Sequence, residues 1–269
     1  MLLHIVSNLL NYVVGLEWLK DLKGEMNSRK YIKRDYRTKT TNKALVSFQV
    51  VVKETDLWIS ADKYLKEQAR NLVLDCRQQL ETYIHYQPEF ATTLTPYGYD
   101  AFAPTIVKKM IQATKELNVG PMAAVAGTIA QYTANGLLKL SDQVIVENGG
   151  DIYLKANRPM TVSIFAGDSP LSEKLGILIP ERLMPVGICS SSGKVGHSLS
   201  FGTSDVVCLL SHSAALADGA ATALGNLVKT KNDLQIIAEL ANTIDGILGG
   251  IVILEDSMST WGEIQLVEL

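Results

Sequence analysis

Two stretches of this chain read as helices although they are built almost entirely from small residues. Residues 122–140 carry Ala123, Ala124, Ala126, Gly127, Ala130 and Ala134, and residues 213–228 contain the run Ala217-Asp218-Gly219-Ala220-Ala221-Thr222. A helix with so few bulky side chains either packs backbone-close against its neighbours or leaves room for a flat ligand. Both readings stay open at this point. Each stretch leads into an apolar segment with a glycine pair, at 149–150 and again at 249–250. This weak echo, 121–154 against 213–254, predicts a duplicated αβ unit whose two small-residue helices face a shared cleft.

The rest of the chain alternates strand and helix patterns. Residues 44–52 and 57–60 are β-branched and aromatic around the polar break Glu54-Thr55-Asp56, which predicts a hairpin. Apolar residues from Leu65 to Ile84 recur at helical spacing, with Ser60 or Asp62 as the cap and Pro88 as the stop. A second helix is expected over 105–117, and Pro121 suits the first turn of the next. Strands are expected at 144–146, 152–154, 161–165, 175–179, 205–210 and 247–254, with a short helix over 234–240, and residues 262–267 close the chain. The fold class read from this order is α+β, with mixed sheets and helices.

Composition narrows the function. The 269 residues are 47% hydrophobic and 20% charged, with a net charge of −3. No long basic tract stands out, which argues against a nucleic-acid partner. The cluster Arg29 to Lys39 reads as a solvated rim. Cys76, Cys189 and Cys208 have neither zinc-knuckle nor CxxC spacing, so a reducing, cytoplasmic setting is expected. Residues 1–25 begin apolar but are broken by Asn8, Asn11 and Glu17, too short to span a bilayer. They are read as an N-terminal extension of uncertain role ahead of a single domain over 26–269. No membrane partner is expected, and a homo-oligomer is left open.

Several residues carry chemistry. Asp218 and Thr222 stand one helical turn apart, which puts a carboxylate and a hydroxyl on one helix face. Hard cations such as Mg²⁺ take oxygen ligands of this kind. Glu147-Asn148-Gly149-Gly150-Asp151 ends an apolar strand in a glycine pair, where backbone can approach a ligand; a plain tight turn is the alternative. Residues 187–202 hold four glycines and five serines, a composition read as a loop that cannot pack a core but can offer N–H groups and hydroxyls to an anion. Ser191, Ser192, Gly193 and Ser198 are its candidate phosphate contacts. His197 is a candidate for phosphate contact or acid/base work. Cys189 is either a core thiol or a thiolate activated by loop N–H groups, which would suit a sulfur-handling enzyme.

Glu54-Thr55-Asp56-Leu57, the segment 120–127, Glu147 to Ile152, the Ser-Ser-Gly to Phe-Gly loop over 191–202, and the Ala-Asp-Gly-Ala-Ala-Thr helix resemble the ApbE-like superfamily. Its best-known members are FAD:protein FMN transferases, and the match is to a less characterised branch. The likeness runs from about Tyr31 to the C-terminus. It implies a two-lobed, T-fold-like α+β architecture, a flavin nucleotide such as FAD as ligand, and Mg²⁺ held through Asp218 and Thr222. Gly149, Gly150 and Asp151 match the glycine-rich strand beside the flavin nucleotide, and Ser192 and Gly193 match a Ser-Gly of the transferases. The signature His-Ile-Asp-Pro that follows it there is replaced by Gly196-His197-Ser198-Leu199, and the N-terminal FAD-contacting segment is not recognisable. The resemblance therefore implies a Mg²⁺-dependent flavin or nucleotide-binding protein of transferase type. A sulfur-handling enzyme using Cys189 and a non-catalytic ligand-binding protein of the same fold are the alternatives.

Overall fold

The structure, a computed structural model, describes residues 45–193 and 202–269. Residues 1–25, His197 and Ser198, which the sequence singles out, lie outside the described residues. The strands are β1 (Val46–Val52), β2 (Thr55–Ala61), β3 (Val144–Asn148), β4 (Asp151–Lys155), β5 (Met160–Ser163), β6 (Leu175–Ile179), β7 (Val186–Ser191), β8 (Val206–Ser211), β9 (Ile247–Leu254), β10 (Ser257–Gly262) and β11 (Leu266–Glu268). The principal helices are α1 (Lys66–Tyr86), α2 (Thr105–Thr114), α3 (Val125–Leu137), α4 (Ala214–Leu227) and α5 (Asp233–Ala241).

Eight strands form one sheet in the order β1-β2-β3-β4-β7-β8-β9-β10, and β11-β6-β5 form a second. The α+β class is as expected. The expected mixed pairing is corrected: every described pairing is antiparallel. The helices cover one face of the large sheet and the small sheet covers the other. Side chains alternate accordingly. On β8, Val207 and Leu209 enter the helix-side core while Val206, Cys208 and Leu210 enter the core under the small sheet. On β9, Val252 and Leu254 face the helices, and Ile251 and Ile253 face away. With both faces covered, a strand reads as an unbroken apolar run, as 206–210 and 251–254 do.

The order of elements repeats. A hairpin, β1–β2, is followed by helices and a second hairpin, β3–β4; then β7–β8, helices and β9–β10 follow the same plan. The pairing of β4 with β7 joins the two units into one sheet, and β5–β6 is inserted between them. The glycine pairs of the sequence echo are not equivalent, however. Gly149 and Gly150 form a turn, whereas Gly249 and Gly250 lie within β9 and pair with Leu210 and Leu209.

Three local expectations are corrected. α1 has no side-chain cap. Asp62 instead accepts hydrogen bonds from Ser141 Oγ (2.9 Å) and Gln143 N (2.9 Å), tying the end of β2 to the approach of β3. Residues 187–191 are not loop but strand β7 in the middle of the large sheet. Its glycine is there for packing: a Cβ on Gly187 would lie 2.6 Å from Ala214 Cα, so only glycine lets α4 rest on β7. A strand at 257–262 pairs with β9, where no strand was expected.

Candidate functional site

The antiparallel registers bring the β1–β2 turn, the β3–β4 turn, the C-terminal end of β7, the start of β8 and the β9–β10 turn to one end of the large sheet. At the middle of that end a cleft of about 1880 Å³ opens. It is lined by Glu147, Asn148, Gly149, Gly150 and Asp151 of the β3–β4 hairpin, by Ser190 to Gly193 leaving β7, and by Asp218 and Thr222 of α4. Of the candidates drawn from the sequence, the cleft gathers Gly149, Gly150, Asp151, Ser191, Ser192, Gly193, Asp218 and Thr222.

The small-residue helices are explained by packing. α3 and α4 lie side by side, and a Cβ on Gly127 would fall 2.4 Å from the Ala214 carbonyl oxygen and 2.9 Å from Asp218 Cβ. That proximity has a polar consequence. The Gly127 N–H donates to Asp218 Oδ2 at 2.8 Å, so a helix of the first unit fixes the carboxylate of the second. Ser213 caps α4 by accepting from Leu216 N at 3.3 Å, which sets the helix start and hence the phase that turns Asp218 and Thr222 inward. Both are buried to within a tenth of full exposure.

The glycine tip is held from both sides. Asn148 pairs with Asp151 across it, and Gly149 adopts φ +73°. Asn148 Nδ2 donates to the Ala126 carbonyl at 3.1 Å, pinning β3 to the start of α3. Ser190 Oγ donates to the Gly150 carbonyl at 2.8 Å. A Cβ on Gly150 would stand 2.7 Å from that same Ser190 Oγ.

Burial dominates the electrostatics. Loss of water pushes the Asp218 carboxyl well above the ordinary carboxylate range, and Asp151 opposite adds to the effect; the N–H groups of Gly127 and Ala126 pull the other way. Burial, helped by Glu147, pushes Asp151 up to about 7, against hydrogen bonds from Cys189 and Ser190 N–H. Asp151 Oδ1 is buried and has no hydrogen-bond partner. Asp151 disfavours the charged form of Asp218, the effect that a nearby like charge has. Ser191 Oγ is a second buried oxygen without a partner at the cleft wall.

Among the described residues no three His, Cys, Asp or Glu side chains close around one point. A cation here would draw on Asp218, the orphaned oxygen of Asp151 and the Thr222 hydroxyl, with water or ligand oxygens completing its shell, which is how Mg²⁺ is commonly held. The residues present fit such an ion.

Cys189 does not fit the thiolate reading. It is fully buried, its Sγ donates to the Ala214 carbonyl at 3.3 Å, and burial together with Asp151 and Asp218 holds the thiol well above its usual pKa. A nucleophilic thiolate needs the opposite surroundings. Glu147 is the residue that sequence reasoning quoted but did not single out. Its signal is a carboxylate inside an otherwise apolar strand, immediately before the turn.

The sequence matches the family described as AbpE bacteria over residues 37–248. The chain belongs to that family. Among relatives of this AbpE-type chain, a UPF0280 protein of Methanothrix thermoacetophila is 40% identical over 200 residues, covering 74% of this chain and 84% of that protein. A UPF0280 protein of Methanosarcina acetivorans is 39% identical over 216 residues, covering 79% and 85%. Among solved structures, the apo flavinyl transferase ApbE of Pseudomonas stutzeri aligns with a TM-score of 0.55 at 15% identity, covering 81% of this chain and 93% of that one. The ApbE protein of Thermotoga maritima aligns at 0.51 and 12%, covering 81% and 97%. At these identities the structural likeness establishes an ApbE-like fold. No helix among the described residues is long and apolar enough to cross a membrane.

Proposed function

We propose that this protein binds a flavin nucleotide, with FAD foremost, together with Mg²⁺ in the cleft at the β3–β4 tip, and that it acts as a nucleotidyl- or FMN-type transferase in the cytoplasm. The carrying observation is the buried pair Asp151 and Asp218, one oxygen of which has no partner, opening with Thr222 onto a glycine-floored cleft. Asp218, Thr222 and Asp151 would hold the ion. When bound, the ion supplies charge neutralisation for a pyrophosphate.

This chain's own residues do the rest. Gly149 and Gly150 keep side chains out of the space that phosphate oxygens need. Ser192 and Gly193, just after β7, line the same wall, where Ser192 brings a hydroxyl and the Gly193 N–H donates to the Ser204 carbonyl at 2.9 Å. The N–H groups of Gly127 and Ala126 hydrogen-bond the Asp218 carboxylate and fix its position in the cleft wall. The names of the fold relatives support the flavin part of the reading, and a 1880 Å³ cleft accommodates a dinucleotide.

The test is equilibrium binding of FAD followed by flavin fluorescence, with and without millimolar MgCl₂. Binding should depend on Mg²⁺ and should be lost in Asp218→Asn while the protein stays folded. FAD binding that ignores both Mg²⁺ and the substitution overturns the proposal, as does no binding at all.

A further inference from the structure

α4 contains two glycines, and only one of them has a steric reason to be glycine. A Cβ on Gly219 would stand 3.1 Å from Thr114 Cγ2, which is tight. A Cβ on Gly225 would meet Ser204 Oγ at 3.7 Å, Val207 Cγ2 at 3.8 Å and Ser191 Oγ at 3.9 Å, all ordinary contacts. Gly225 is buried within the helix, and it is not among the residues of positive φ. Alanine would fit there and would favour the helix. What glycine provides at this position is room beside two hydroxyls.

Ser191 and Ser204 are 7% and 0% exposed, and neither Oγ has a hydrogen-bond partner. Buried hydroxyls are nearly always paired, because an unpaired one has given up its bonds to water for nothing. The backbones that carry them are fixed. Ser191 pairs with Val207 across β7 and β8, and the Ser204 carbonyl accepts from Gly193 N at 2.9 Å. Just before it, Thr203 N donates to the Val228 carbonyl at 2.9 Å, which ties this segment to the end of α4. Asp218, Thr222 and Gly225 follow one another at spacings of four and three, so they share one face of α4. The face that bears the cleft carboxylate thus continues into this polar spot, next to the Ser191 that lines the cleft.

An occupant of the space over Gly225 has to be small and able both to donate and to accept. Water meets these conditions, and two hydroxyls lie within the 2–4 partners that a buried water needs. A metal cation fits poorly, since the side-chain groups nearest this point are two neutral hydroxyls and a valine methyl.

We propose that Ser191, Ser204 and Gly225 form an internal hydration site for one water molecule, which accepts from one hydroxyl, donates to the other, and bridges the last turn of α4 to the end of β7 and the approach to β8. The Ser191 hydroxyl is then engaged behind the cleft wall, and Ser191 supports that wall instead of contacting phosphate. The site goes beyond the nucleotide reading and does not depend on it.

The test joins a high-resolution crystal structure of the full chain to urea unfolding of three variants. An ordered water is expected at about 2.5–3.0 Å from both Oγ atoms. Gly225→Ala should raise the unfolding constant about tenfold, because the methyl group displaces the water and leaves two hydroxyls unpaired. In a Ser191→Ala, Ser204→Ala background the same change should lower that constant about two- to fivefold, the ordinary gain of alanine over glycine in a helix. The reversal of sign is what a merely close-packed site would not give. The inference is overturned if no ordered water lies between the two hydroxyls, or if Gly225→Ala stabilises the otherwise unchanged chain. It is overturned equally if the density there shows anomalous scattering after an RbCl soak, which would assign the site to a monovalent cation. Should any variant fail to fold, the electron density decides alone.

Discussion

Three two-residue turns sit at the same end of the large sheet, and they are built differently. The turns at the edges, Lys53-Glu54 and Glu255-Asp256, are wholly charged and locked by ion pairs: Lys53 to Glu81 at 2.7 Å, Glu54 to Arg77 at 2.7 Å, and Lys231 to Glu255 at 2.9 Å. The central turn is Gly149-Gly150. Yet Lys53 and Glu255 adopt φ of +52° and +57°, close to the +73° of Gly149. An L-residue therefore meets the backbone demand of these turns at modest cost, and a lysine and a glutamate do so here. What separates the central turn is what surrounds it: Gly150 lies against Ser190, and the cleft opens over the pair. On the proposed function, the glycines at the centre keep the cleft open for a ligand, whereas the charged turns at the edges face solvent and carry ion pairs.

The sharpest way to break that comparison is to exchange the turns. Gly149→Lys with Gly150→Glu should weaken Mg²⁺-dependent FAD binding by at least about a hundredfold by filling the cleft, with only a small loss of stability. Binding retained after this exchange would mean that the ligand sits elsewhere. Asp218→Ala should weaken Mg²⁺ affinity by about ten- to a hundredfold, measured by calorimetry, because it removes a carboxylate ligand. Gly127→Ala places a Cβ 2.4 Å from the Ala214 carbonyl and should destabilise the fold by about 1–3 kcal/mol, read from the urea midpoint.

The pH dependence is smaller and has a defined sign. Asp151 rises from an ordinary 3.8 to about 7, so folding takes up a proton there. Its contribution is complete below about pH 4 and is lost as the pH rises through about 7. Added Mg²⁺ replaces the proton, so the Mg²⁺-induced rise in Tm should be larger at pH 8 than at pH 6. An equal rise at both would remove Asp151 from the ion's surroundings. Smallest of all, Lys53→Gly with Glu54→Gly should leave FAD binding unchanged and shift stability by only about 1–2 kcal/mol, through the lost pairs to Glu81 and Arg77.

Much of this arrangement was legible from residues alone. Helical spacing put Asp218 and Thr222 together, and the apolar runs 144–146 and 247–254 became strands where expected. The reading faltered at 187–191, where glycine and serine suggested an exposed loop. Composition reports how well a segment fills a core by itself, and it does not see that α4 brings Ala214 to Gly187 and fills that space from outside. Asp62 was misread for a related reason: a cap is a local contact, and its partners Ser141 and Gln143 lie about eighty residues away. Cys189 illustrates the same limit, since whether a thiol is activated or suppressed depends on the carboxylates that the fold packs beside it. Glu147 escaped because the pleat that turns it away from Asp151 becomes meaningful only once a second layer covers that face.

The contact between Gly127 and Asp218 joins the two structural repeats. The acid belongs to one repeat and the amide that orients it belongs to the other, so neither half carries a finished pocket. A half-length chain would have to pair with a twin of itself to rebuild this contact, and any unfolding that parts the halves frees the Asp218 carboxylate from the Gly127 amide before it melts either one.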